Sequence, residues 1–361
     1  MAKRVFNFNP GPSVLPLSVL EKAQAEMLDY CGTGMSVMEI SHRSADYEAI
    51  NNSAMALIRE LMGLGENYKV IFMGGGASTQ FALVPMNLLY DGKTAAYVDT
   101  GSWGNKAIKE AKLFGNVHVA ASIKDQNYKR IPKMNEIKYP SDASYLHITT
   151  NNTIEGCQYS EYPDTGSVPL IADMSSDILS RRADFSKFSL IYAGAQKNLG
   201  PAGVTVVIIR DELLAKCKPG IPTMFNYQTH AKENSLYNTP PAFAIYIMKM
   251  VLDWIKNQGG LQAVEKVNQA KKDAIYNLME KYPDYFKGTV DKDSRSWMNI
   301  TLRLPSEELE KKFLAEAKPA GFIGLKGHRS VGGIRVSLYN AMTLEGASKL
   351  AEFMEAFKKA N

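Results

Sequence analysis

The sequence predicts a three-layer α/β protein, a large α/β/α domain with a smaller α+β domain, and three observations carry that prediction. Short β-branched or small apolar runs alternate with helix-length amphipathic segments along most of the chain. Several of those runs stop at glycine-rich or polar loops where a helix then begins, the layout that gathers loops along one sheet edge. A length of 361 residues, 45% of them hydrophobic, is enough for one large core and a second, smaller one.

Composition narrows the class. The 42 basic and 37 acidic residues give a net charge of +5 and are spread along the chain, without a basic tail. That distribution argues against nucleic acid and is compatible with small anionic ligands. No apolar run is long enough to span a bilayer, and MAKRVFNFNPGPSV lacks a signal-peptide core, so a cytoplasmic protein without a membrane partner is expected. Cys31, Cys157 and Cys217 are far apart, and the five histidines show no ligand spacing, so neither a disulfide framework nor a metal site is expected.

In order along the chain, FNFNPGPSVLP reads as an extended arm and turn, and a helix over Leu17 to Asp29 follows with Ser18 as its cap. His42 and Arg43 fall in a loop, and Ser44 caps a helix from Ala45. Lys69 to Met73 is a strand, followed by a glycine turn and a helix near Ser78, whose amides can receive a phosphate. The absence of GK[ST] and GxGxxG removes the nucleotide-binding loops. A further strand leads to a Gly-Ser-Trp-Gly loop holding Trp103, another ends near Asn152 and Thr153, and a third, Val168 to Ala172, ends at Asp173. Leu190 to Ala193 and Val204 to Ile209 are strands bracketing a small-residue loop with Lys197 in its middle. YNTPP precedes an amphipathic helix that stops at Gly259 and Gly260. The domain boundary is placed there: 17–258 form the large domain, and 1–16 with 259–361 the small one. The remainder is a long polar helix, a strand within RSWMNITLRL, a helix over Ser306 to Lys318, a glycine-rich loop, a strand carrying Arg335, and a last helix capped by Thr343.

These loops supply what one chemistry requires. A desolvated lysine becomes an amine nucleophile suited to Schiff-base formation. If its partner is pyridoxal 5′-phosphate, the phosphate needs backbone amides, the ring a flat face, and the pyridinium nitrogen a carboxylate. Gly74 to Ser78, Trp103 and Asp173 can fill those roles.

The motifs FNFNPGP, SVMEISHR, GGGAST before QF, ADMSSDILSR, YAGAQKNLGPAG, YNTPP and KGHRSVGGIRVSLYNAM resemble the phosphoserine aminotransferase family. That family lies among the class V aminotransferases, fold-type I pyridoxal-phosphate enzymes, and the resemblance covers nearly the whole chain. It implies a dimer with shared active sites and transfer of an amino group from glutamate to 3-phosphohydroxypyruvate in serine biosynthesis. It leaves open 4-phosphohydroxythreonine, of vitamin B6 synthesis, as a second substrate pair. By the same resemblance Lys197 is the cofactor lysine, Gln196 a phosphate contact, Ala77 and Ser78 the backbone cup, Trp103 the stacking ring, Thr153 a cofactor contact and Asp173 the pyridinium partner. Asn238 and Thr239 match residues reaching the cofactor phosphate of the other subunit. Arg335 matches the α-carboxylate arginine, and His42, Arg43, His328 and Arg329 the distal-anion cluster. Ser78 stands where some relatives have an arginine, which shifts weight onto His328 and Arg329.

Rivals are separable. A cysteine desulfurase would need a cysteine late in the chain, and none follows Cys217. A glyoxylate-type aminotransferase has no use for a multi-cation distal site. A silent cofactor-binding protein would be yellow but not bleached by glutamate.

Overall fold

The computed structural model describes residues 4–361. Its centre is a seven-stranded sheet built from β2 (Tyr68–Met73), β3 (Thr94–Asp99), β4 (Asn116–Ser122), β5 (Leu146–Thr149), β6 (Leu170–Asp173), β7 (Leu190–Gly194) and β8 (Thr205–Arg210). The spatial order is β2-β8-β7-β6-β5-β3-β4. Only β8 runs against the others, pairing antiparallel with β2 on one side and β7 on the other. The reversal follows from chain length: the loop from β7 to β8 is too short for the crossover that a parallel neighbour requires.

The inner strands read as continuous apolar runs because both their faces are buried, whereas the edge strand β4, NVHVAAS, is largely exposed. Val70 and Phe72 of β2 enter one core and Ile71 and Met73 the other; Val206 and Ile208 of β8 part from Val207 and Ile209 in the same way. Helices Ala45–Met62 and Ala242–Asn257 pack in the first of these cores. Helices Gly76–Leu88 and Ser102–Ala111 pack in the second.

A third core is formed by Phe8 and by residues from Ile275 to Phe357. It lies on an antiparallel sheet of β9 (Lys287–Gly288), β10 (Asn299–Arg303) and β12 (Ile334–Ser337), in the order β12-β10-β9. The N-terminal arm joins this part of the molecule, because β1 (Phe6–Asn7) pairs in parallel with β11 (Phe322–Ile323). Helix Gly260–Lys281 spans two cores: Leu261 and Val264 belong to the first, Ile275 and Leu278 to the third.

Two local expectations are corrected. The first helix is Leu17–Ala25 and starts behind Pro16, whose ring fixes the entry angle, so Ser18 lies inside the first turn and caps nothing. Trp103 is helical, in the first turn of Ser102–Ala111, because Glu155 accepts hydrogen bonds from both Ser102 N (2.8 Å) and Ser102 Oγ (2.6 Å) and so anchors the helix start. Caps at Ser44 and Thr343 are as expected, each accepting an amide of its helix. Among the described residues no helix is long and apolar enough to cross a membrane.

Candidate active site

A cavity of about 340 Å³ opens at the carboxyl ends of the central strands. It is lined by the ends of β5 and β6, the start of helix Gly76–Leu88, Trp103, the Gln196–Lys197 loop, and His328 and Arg335 from the third core's side. Pro10 and Gly11 of the N-terminal arm complete it.

Lys197 sits in the loop between β7 and β8. Its Nζ donates to Thr153 Oγ1 (2.7 Å) and Ser176 Oγ (2.8 Å), and lies 5.8 Å from the Trp103 ring centroid. These partners are neutral hydroxyls, and no carboxylate pairs with the amine among the described residues. Burial therefore dominates and brings its pKa down to about 8; Asp173 opposes the drop, and Arg335 adds to it.

Asp173 ends β6 and is nearly fully buried. Its Oδ1 accepts from Ser175 N (2.9 Å) and Ser175 Oγ (2.6 Å). Burial raises its pKa, while Ser175 and Lys197 pull the other way. A carboxylate so placed is short of a cationic hydrogen-bond donor, which a protonated ring nitrogen would be.

Across the cavity, helix Gly76–Leu88 begins at Gly75, which has φ 89° and no side-chain cap. The left-handed conformation continues at Gly76 (φ 71°), and glycine is the residue that adopts it without strain. The first amides of the helix, those of Gly76, Ala77 and Ser78, are thereby offered to an anion. Two buried polar atoms of the lining, Trp103 Nε1 and Thr149 Oγ1, lack partners among the described residues. Uncapped amides, a flat indole, a buried carboxylate and a poised amine form a donor set that fits pyridoxal 5′-phosphate.

Arg335, on β12, is 6% exposed. One nitrogen, Nη1, donates to Thr153 O (3.1 Å), while Nε is buried without a partner. No carboxylate pairs with it among the described residues, so the part of its planar fork that Thr153 O does not take is free for a carboxylate. His328 shares a 2.7 Å hydrogen bond between Nδ1 and Ser330 Oγ. Burial lowers its pKa, as do the neighbouring Arg335, Arg329 and Lys106.

The cavity thus gathers Ala77, Ser78, Trp103, Thr153, Asp173, Gln196, Lys197, His328 and Arg335. His42, Arg43, Arg329, Asn238 and Thr239 are not in its lining. His42 is half-buried with an unpartnered Nε2, and Arg43, Arg329 and Thr239 are exposed. Asn238 lines a neighbouring cavity of about 350 Å³ that Gly74 and Gly75 also line.

Sequence reasoning missed several lining residues. Ser175 and Ser176 directly follow Asp173, and their hydroxyls, a visible signal in ADMSSD, hold Asp173 and Lys197. Gly11 reaches the site by long-range packing: a Cβ there would lie 3.3 Å from Lys197 Cγ. Ser13 Oγ locks the arm to Lys197 O (2.7 Å) and Tyr339 OH locks it to Pro10 O (2.7 Å). Lys106, one turn beyond Trp103, holds Nζ 4.2 Å from that ring's centroid.

Comparison with known proteins gives a consistent result. The family model for aminotransferase class-V matches residues 5–350. The phosphoserine aminotransferase of Niallia circulans is 57% identical over 360 residues, covering 100% of this chain and 99% of that one. The solved phosphoserine aminotransferase from Bacillus circulans subsp. alkalophilus superposes with a TM-score of 0.98 at 57% identity, covering 99% of each chain. A phosphoserine aminotransferase with bound pyridoxal phosphate, from Trichomonas vaginalis, superposes with a TM-score of 0.92 at 36% identity, covering 98% of this chain and 100% of that one.

Proposed function

Because the chain belongs to the class-V aminotransferases, and within them to the phosphoserine aminotransferase family, we propose that it transfers the amino group of glutamate to 3-phosphohydroxypyruvate. It is an aminotransferase that depends on pyridoxal 5′-phosphate. The products are 2-oxoglutarate and 3-phosphoserine, in serine biosynthesis. One observation carries the reading: Lys197, with its lowered pKa, and Asp173 face the same volume as the unpaired Arg335 and His328. Amine chemistry and anion recognition thus meet in one cavity. That pairing favours a substrate with two anionic ends over a glyoxylate-type acceptor.

The residues divide the work. Ala77, Ser78 and Gln196 would hold the cofactor phosphate, Trp103 and Thr153 would bound the ring, and Asp173 would keep the ring nitrogen protonated. When bound, the cofactor supplies a sink for the electron pair left by a departing α-proton. Lys197 Nζ, at about 8, is partly neutral near physiological pH, so it can accept that proton and return it. Thr153 and Ser176 hold the amine within the cavity while it is free. Arg335 orients the α-carboxylate through its fork. His328 and Arg329, joined by His42 and Arg43, receive the distal carboxylate or phosphate.

The assembly is a homodimer in this proposal. Asn238, Thr239, His42 and Arg43 lie off the cavity of their own chain and would complete that of a second copy. Mixing Lys197→Ala with Asn238→Ala restores activity if each site draws on both chains; a mixture as inactive as its parts refutes the sharing. The two-domain division is supported by the separate third core, which takes in the helix after 258 only from Ile275 onward, while Leu261 and Val264 pack in the first. A cytoplasmic setting is supported by three unpaired cysteines.

The function is tested by the cofactor's visible spectrum. Glutamate should bleach it, and 3-phosphohydroxypyruvate should restore it with release of phosphoserine. Equal restoration by pyruvate, which lacks the phosphate, would sink the substrate assignment. Lys197→Ala should lose turnover and keep its fold.

A further inference from the structure

A second polar cavity, of about 330 Å³, is left unused by this chemistry. It lies between the Gln158–Ser160 loop, Arg181, helix Gly260–Lys281 and the segment 292–297. Four cations line it, Arg181, Lys272, Lys292 and Arg295, against two carboxylates, Glu280 and Asp293. Glu280 is already divided between Arg295 (2.6 Å) and Lys292. Lys272 is paired with Asp273 (2.7 Å). Arg181 has no ion pair among the described residues. Its Nη2 donates to the Tyr159 carbonyl, and its Nε is buried without a partner, as is Nε of Arg295.

The cations also converge on one ring. Lys272 Nζ lies 4.9 Å and the Arg181 guanidinium carbon 5.8 Å from the Trp297 ring centroid. Half-buried like charges around an indole repel one another, and desolvated guanidinium N–H groups are costly to leave unpaired. A phosphate group answers both, since a planar fork and a nearby ammonium match its oxygens. We propose that this cavity is a second anion site, taking the phosphate group of a small metabolite through Arg181 and Lys272 beside Trp297. The site is distinct from the catalytic cavity but backs onto its wall. Trp297 N donates to Gln158 Oε1 (2.8 Å), Gln158 Nε2 donates to Asp177 Oδ2 (3.1 Å), and Asp177 accepts from Thr150 in the loop that carries Asn151 and Thr153.

The test uses the cofactor-saturated enzyme, titrated separately with inorganic phosphate and with glycerol 3-phosphate, with binding read by calorimetry and by tryptophan emission. In the wild type, at least one of the two should bind and shift the emission, and that response should persist in His328→Ala, which removes a member of the catalytic cavity's own distal-anion cluster. Arg181→Gln should weaken that binding by about tenfold or more, as expected for loss of a charge-assisted fork. Trp297→Phe should remove the optical signal while calorimetric binding remains. Tighter binding of the ester identifies a phosphorylated metabolite as the ligand; tighter binding of the free ion identifies phosphate itself. Lys272→Gln gives a second reading should Arg181→Gln fail to fold. The proposal is overturned if neither compound binds, if wild type and both charge variants respond alike, or if chloride at matched ionic strength reproduces the response.

Discussion

The Lys197 amine should titrate far below an ordinary lysine in the cofactor-free enzyme, and the structure says why and in which direction each neighbour acts. Burial brings the value from 10.5 to about 8. At about pH 7.5 roughly a quarter of the amines are then neutral, against about one in a thousand for a solvated lysine, an advantage of some two hundredfold. Two substitutions separate this cause from general mobility. Arg335 depresses the value, so Arg335→Gln should raise it; Asp173 props it up, so Asp173→Asn should lower it. The assay is the pH dependence of acylation at Lys197 by a small neutral reagent, read by mass spectrometry of the peptide containing it. A midpoint near 10.5, or shifts of the same sign in the two variants, would refute the electrostatic account of the site.

Three further expectations rest on other parts of the molecule. Lys271 is fully buried and donates to the carbonyls of Leu338 (3.0 Å) and Tyr339 (2.8 Å), and burial brings its pKa to about 7. Its folded value lies below its unfolded one, so the unfolded chain binds the extra proton and stability rises with pH between about 7 and 10.5. Urea midpoints at two pH values should show wild type gaining on Lys271→Met as pH increases, by up to about 1.4 kcal/mol per pH unit; a constant difference would exclude the titration. Glu155→Ala removes the acceptor of Ser102 N and Oγ, and should cost about 1–3 kcal/mol in denaturant unfolding, whereas Glu155→Gln should cost less. Lys106 helps to depress His328, so Lys106→Gln should raise the His328 titration midpoint in proton NMR, and an unchanged or lower midpoint would contradict the shared cationic mouth.

What the sequence made legible follows from how each element is stabilised. The inner strands of the central sheet have both faces buried, so Val204 to Ile209 or Val168 to Ala172 stand out as uninterrupted apolar runs whatever their neighbours are. Asp173, Lys197 and the Gly74–Ser78 turn were visible because each follows such a run directly, where a sheet delivers its loops to one edge. Trp103 was misplaced in a loop because its helix starts with no cap of its own and relies on Glu155, 53 positions away.

Gly11 shows the limit most clearly. Locally, FNFNPGP spells only an extended arm and a turn, and nothing within it points to a lysine late in the large domain. The arm arrives there because β1 pairs with β11, because Ser13 and Tyr339 fasten it on either side of Gly11, and because Phe8 is buried in the third core. A Cβ at Gly11 would stand 3.3 Å from Lys197 Cγ and 3.5 Å from Cε, at a backbone φ of 134° that side chains rarely adopt. The glycine is thus set both by its own backbone conformation and by a tertiary approach that the local sequence does not show. The lysine side chain must stay free to swing between the hydroxyls of Thr153 and Ser176 and a substrate, and the missing side chain at Gly11 is what leaves it room.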